Sequence, residues 1–151
     1  MDTAHKASGL RRYAIDLDLN TQSHAAVLRR LGVLSALVDD QIESVEATQA
    51  FMARERLGSI VLAEQVALPH ARFDGINAPV VSVVRPNEPV KFEEGLVSLV
   101  VGILVPNDEP QQHLDLLRFW ASLLRQEDRR FALFGAPTAD HFYALVKDHA
   151  C

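Results

Sequence analysis

The sequence predicts an α/β layered fold in a single domain, a mixed β-sheet flanked by helices. Three observations carry this. Val80 to Val84 and Leu96 to Val105 are continuous apolar runs, the mark of strands covered on both faces. Around them, apolar residues recur at helical spacing, as at Ala26, Val27, Leu31, Leu34 and Leu37. The 151 residues suit one domain, a length at which folding buries about 68–70% of the unfolded chain's surface.

Little in Met1 to Arg12 could pack, so residues 1–12 are expected to form a flexible N-terminus ahead of a domain at 13–151. Tyr13, Ile15, Leu17 and Leu19 alternate with Ala14, Asp16 and Asp18, which predicts a short edge strand. Thr21 or Ser23 offers an N-cap to a helix over 23–38, weakened somewhat by Gly32. Ser44 is expected to cap a second helix reaching Arg56, with Val45, Gln49, Met52 and Leu57 in register and Gly58 as its stop. Ile60, Val61, Leu62, Val66 and Leu68 are β-compatible residues around the polar pair Glu64–Gln65. Pro69 then ends that ladder and leaves His70 just beyond an extended segment. Pro106 and Pro110 bracket a turn, with Asp108 as the cap of a helix over 110–126. A short helix follows over 128–134, ended by Gly135. Thr138 caps a last amphipathic helix through Phe142, Leu145 and Val146.

Fifteen basic against twenty acidic side chains give a formal charge of −5, spread evenly along the chain. Neither half has the basic footprint of a nucleic-acid binder. The only cysteine, Cys151, allows no internal disulfide and no cysteine-based metal cluster. Leu99 to Val105, the longest apolar run, falls far below the ~18–20 residues of a membrane-spanning helix. No membrane insertion and a cytoplasmic location are expected.

Chemistry narrows to histidine. His5, His24, His141 and His149 read as surface residues. His113 stands in the first turn of its helix on the side shared with Leu117, Trp120 and Leu124, the side that faces the sheet. One reading is a partly buried, hydrogen-bonded residue; another notes that helix N-termini favour anions. His70 is presented by a rigid proline where layered folds tend to bind ligands, and its ring is mostly neutral and nucleophilic at neutral pH. Two distant histidines without a third ligand do not make a metal site, so no metal is expected. Gly-x-Ser-x-Gly, Walker and dinucleotide glycine patterns are absent.

Ala53-Arg54-Glu55-Arg56-Leu57-Gly58-Ser59, followed after seven residues by Ala67-Leu68-Pro69-His70, resembles a phosphorylation-site signature. It is that of the fructose/mannitol-type enzyme IIA domains of the bacterial phosphoenolpyruvate-dependent phosphotransferase system, nearest their nitrogen-regulatory branch. Glu88-Pro89-Val90-Lys91-Phe92, Leu104-Val105-Pro106 and Gln112-His113-Leu114 extend the likeness over roughly residues 15–148. The resemblance implies the enzyme IIA fold, with His70 accepting a phosphoryl group from the phosphocarrier HPr. It further implies that Arg54 holds phosphate oxygens and that His113 orients or neutralises the phosphoryl group. Backbone groups of a phosphate loop near Ser59 could add donors. No cofactor is implied, and the downstream partner is a regulated kinase, a transporter or a IIB protein. Arginine suits the task through its planar donor fork and permanent charge.

The sequence departs from the family before His70, where threonine and glycine are usual and Ile60-Val61-Leu62-Ala63-Glu64-Gln65 stands instead. Ile60 and Val61 resist positive φ. Either this loop takes another shape, or the donors around His70 are looser. A second reading therefore stays open, a non-catalytic regulatory interaction module with a vestigial phosphorylation site.

Overall fold

The computed structural model describes residues 7–107 and 110–150. The expectations for His5, for an Asp108 cap and for Cys151 lie outside the described residues. A 3₁₀ turn at Arg12–Ala14 leads into β1 (Ile15–Leu19), α1 (His24–Val38) and α2 (Ser44–Leu57). The short strands β2 (Val61–Ala63), β3 (Val66–Ala67) and β4 (His70–Arg72) come next. Then follow β5 (Val80–Pro86), β6 (Val90–Phe92), β7 (Gly95–Val97) and β8 (Leu99–Val105). Three helices end the chain: α3 (Pro110–Arg125), α4 (Glu127–Phe134) and α5 (Ala139–Ala150).

The main sheet runs β1-β5-β8-β3-β2, with β4 also on β8. It is mixed: β1 lies parallel to β5, β5 antiparallel to β8, and β3 and β4 parallel to β8. β1 is an edge strand, as its alternation predicts. Every residue of β8 is buried, and its two faces feed two cores. Leu99, Val101, Ile103 and Val105 pack with Trp120, Leu124 and Phe142 from α3 and α5. Val100 and Leu104 pack with Leu28, Leu31 and Phe51 from α1 and α2. Fully burying each such side chain stabilises the fold by about 1.5–3 kcal/mol.

Two glycines let the second core close. A Cβ on Gly102 would lie 2.9 Å from Phe51 Cζ and 3.1 Å from Leu31 Cδ1. A Cβ on Gly32 would strike Thr48 Oγ1 and stand 2.6 Å from the Ser44 carbonyl. Gly32, weak in propensity, is therefore what allows α1 and α2 to touch backbone to side chain.

Local signals place most boundaries. Ser23 accepts a hydrogen bond from Ala26 N at 3.2 Å and so caps α1, Gly58 ends α2, and Thr138 caps α5 through His141 N at 3.0 Å. Three expectations need correction. Ser44 is not a cap: it is the first residue of α2, preceded by Glu43, which makes no side-chain cap. The buried face of α2 is Ala47, Thr48 and Phe51, while Val45 and Leu57 are 66% and 84% exposed. Ala47 and Thr48 suffice near Gly32 because α1 comes so close there. The third concerns the start of the chain, where Ser8 and Leu10 are fully buried. The Ser8 carbonyl accepts from Trp120 Nε1 at 2.7 Å, and Leu10 joins the core beneath α3. Packing therefore begins ahead of residue 13.

Candidate functional site

β3 and β4 lie along the same side of β8, β3 opposite Leu99 and Val100, β4 opposite Ile103, Leu104 and Val105. Leu68 and Pro69 interrupt them, since proline has no N–H to give a ladder. The Pro69 carbonyl still accepts from Ile103 N at 2.9 Å. His70 thus opens a strand; it does not follow the end of one. Register fixes its direction: His70 and Arg72 share the face of Ile103 and Val105, toward α3, and Ala71 packs on the α1–α2 side.

At this end of the sheet lies a cleft of about 580 Å³, bounded by α2 and α3 with β4 between them. Arg54, His70 and His113, far apart in sequence, all line it. His70 is half-buried and His113 buried, 8% exposed. Burial pulls the His70 pKa below its ordinary value of 6.5, and the Arg54 guanidinium adds to that effect. The Leu68 carbonyl, which favours a ring proton, opposes it. Nδ1 is the buried ring nitrogen and meets no partner at full hydrogen-bond geometry. Arg54 is steadied by one donation, from Nη1 to the Gly58 carbonyl at 3.2 Å, so the α2 stop also holds the guanidinium.

Ser59 is not among the residues lining the cleft. Its hydroxyl accepts from Val61 N at 3.1 Å and turns the chain into β2. The segment after it forms a hairpin of β2 and β3 around Glu64–Gln65. Gln65, with φ 63°, makes the turn while Ile60 and Val61 keep negative φ. Sequence reasoning missed Arg72, which lines the cleft two residues beyond His70. Period-2 spacing from His70 was the signal that could have found it.

The other described histidines lie elsewhere. His24 is exposed, its Nε2 3.5 Å from Glu55 and its ring 5.4 Å from Phe92. His141 is exposed. His149 is less superficial than expected: it is half-buried, edge-on to Phe119 at 5.2 Å, and burial lowers its pKa.

A family model described as "Phosphoenolpyruvate-dependent sugar phosphotransferase system, EIIA 2" matches residues 10–149. The chain belongs to this EIIA 2 family. A nitrogen regulatory protein of Pseudomonas aeruginosa is 34% identical over 129 residues, covering 83% of this chain and 84% of that protein. The crystal structure of nitrogen regulatory protein IIA-Ntr from Neisseria meningitidis matches with TM-score 0.82 and 28% identity, over 90% of this chain and 94% of that one. IIA mannitol from Escherichia coli, at TM-score 0.71 and 21% identity over 91% and 98% of the two chains, shares the fold. The EIIA 2 chain therefore has the layered architecture expected of it and resembles regulatory IIA proteins, as the phosphorylation-site likeness implied. Among the described residues, no helix is long and apolar enough to cross a membrane.

Proposed function

We propose that this EIIA 2 domain accepts a phosphoryl group on His70 from an HPr-type phosphocarrier and serves as a regulatory phosphohistidine protein. The observation that carries the reading is the company of His70: a neutral-leaning imidazole in a cleft lined by Arg54, Arg72 and His113, with no carboxylate among the described lining residues. Such a lining suits a dianion in a protein whose net charge is −5.

With Nδ1 buried, the attack is assigned to Nε2. Its lone pair attacks phosphorus in line as the phosphorus–nitrogen bond to the carrier's imidazole breaks. His70 loses a proton from the far ring nitrogen, and the departing imidazole gains one, so the transfer is proton-neutral. Arg54 binds equatorial oxygens through its fork, and His113 donates from a ring N–H. At the mouth, exposed Leu57 and Leu114 offer apolar surface on which a carrier protein can settle. The downstream partner is a kinase, a transporter or a IIB protein that distinguishes the two forms.

The test is incubation with enzyme I, HPr and radiolabelled phosphoenolpyruvate. One acid-labile phosphate per chain is expected, absent from His70→Ala; undiminished labelling of that variant would remove the assignment. A second reading is favoured by a Ser59 hydroxyl engaged in its own turn, outside the cleft. On that reading the domain binds its partner without being phosphorylated, and no label appears on the wild-type chain.

A further inference from the structure

Arg72 lines the His70 cleft, but no contact with the phosphoryl group has been given to it. It is exposed at the cleft mouth, on the same face of β4 as His70. Its Nη1 donates to the Asn107 carbonyl at 3.2 Å, on the segment leading from β8 to α3. That single bond steadies the side chain much as the Gly58 carbonyl steadies Arg54. Each guanidinium has five N–H donors, so each keeps four to offer. One reaches the cleft from α2 and the other from β4, with His70 lining the space they share.

We propose that Arg72 is a second anion-binding residue of this cleft, paired with Arg54 to bind the oxygens of a tetrahedral dianion at His70. Two cations share this lining, and an anion between them would be attracted by both. On the His70 phosphorylation reading, Arg72 favours the charged product and shifts phosphoryl exchange with the carrier toward this chain. It acts on binding whether or not His70 is the acceptor, which lets the two ideas fail separately.

The experiment is a titration of the whole chain with inorganic phosphate, followed through the ring resonances of His70 and His113 at two salt concentrations. Arg72→Gln is expected to weaken phosphate binding roughly tenfold, the scale of a lost charge-assisted contact. Its affinity should also depend less steeply on salt than that of the wild type. Arg72→Lys, which keeps the charge and loses the fork, should fall between. Unchanged affinity in Arg72→Gln overturns the inference. So does weaker binding with the wild-type salt dependence, because a strut on Asn107 would act that way. If phosphate binding follows Arg72 while His70 takes no label from the carrier, the inference stands and the phosphorylation reading falls.

Discussion

Two clefts open at opposite ends of β8, and they hold arginine in different settings, two arginines in one and one in the other. The His70 cleft lies by Val105. The other, about 460 Å³, lies by Ser98 and is lined by Asp18, Gln65, Arg85 and Asn87 among others. Seven residues of strand put them roughly 20 Å apart. Arg85 is answered within the protein: its Nη1 donates to the Leu133 carbonyl at 2.9 Å, and Asp18 supports its charge against the effect of burial. Arg54 and Arg72 have a backbone carbonyl each and no carboxylate among the described lining residues of their cleft. The same side chain is a structural lock in one place and, on our reading, a ligand-binding group in the other. Cleft size does not separate them; the balance of charge does.

The strongest way to break the comparison is to exchange the two ends. His70→Ala should abolish carrier-dependent labelling completely, whereas Arg85→Gln should label within twofold of wild type in the same time course. Equal loss in both variants would mean that the clefts are coupled and the contrast is false. Next in size is Arg54→Gln, expected to slow labelling at least tenfold by removing donors that meet the transferring group; rapid-quench sampling measures it. Smaller again is the stability effect of Arg85→Gln. Losing a charge-assisted bond to the Leu133 carbonyl should lower unfolding free energy by about 1–2 kcal/mol in urea, with no counterpart in Arg72→Gln.

The smallest effect sharpens the picture of His70 itself. Because burial lowers its pKa, its ring should titrate below 6.5 by NMR. Arg54→Gln should raise that midpoint by only part of the shift, since burial is the larger cause. The unfolded chain takes up this proton near the ordinary value of ~6.5, before the folded chain does. The neutral ring therefore supports the fold above that pH, and the support is lost as pH falls through 6.5 toward the lower folded midpoint. His70→Ala should flatten this part of the acid limb.

What could be read from the sequence was what short-range physics writes there. The buried run of β8, the Gly58 stop and the Thr138 cap are each set by neighbours within a few residues. The α2 register was misread because its burial depends on Gly32, a residue of another helix whose missing side chain makes the space. Ser8 is held by Trp120, more than a hundred residues away, and Leu10 joins the core under α3, placements that no local pattern announces. In the site, His70, His113 and Arg54 were named through likeness to a signature, and the fold brings them to one cleft. Arg72 and the place of β4 on β8 were not, because strand pairing between Ile103 and His70 is a tertiary event. Ser59, offered as a phosphate-loop residue, serves its own turn.

β4 is seated on the innermost strand of the molecule, in register with Ile103 to Val105, and Phe73 prolongs the attachment by donating to the Val105 carbonyl at 2.8 Å. Backbone so fastened opens with the central sheet, among the last parts of a domain to exchange its amide hydrogens. Residue 70 is therefore fastened directly to the central strand of the sheet. On the phosphorylation reading, a new charge there would be carried by backbone tied into the sheet, so a binding protein would meet nearly the same shape before and after and would tell the two apart by their electric field.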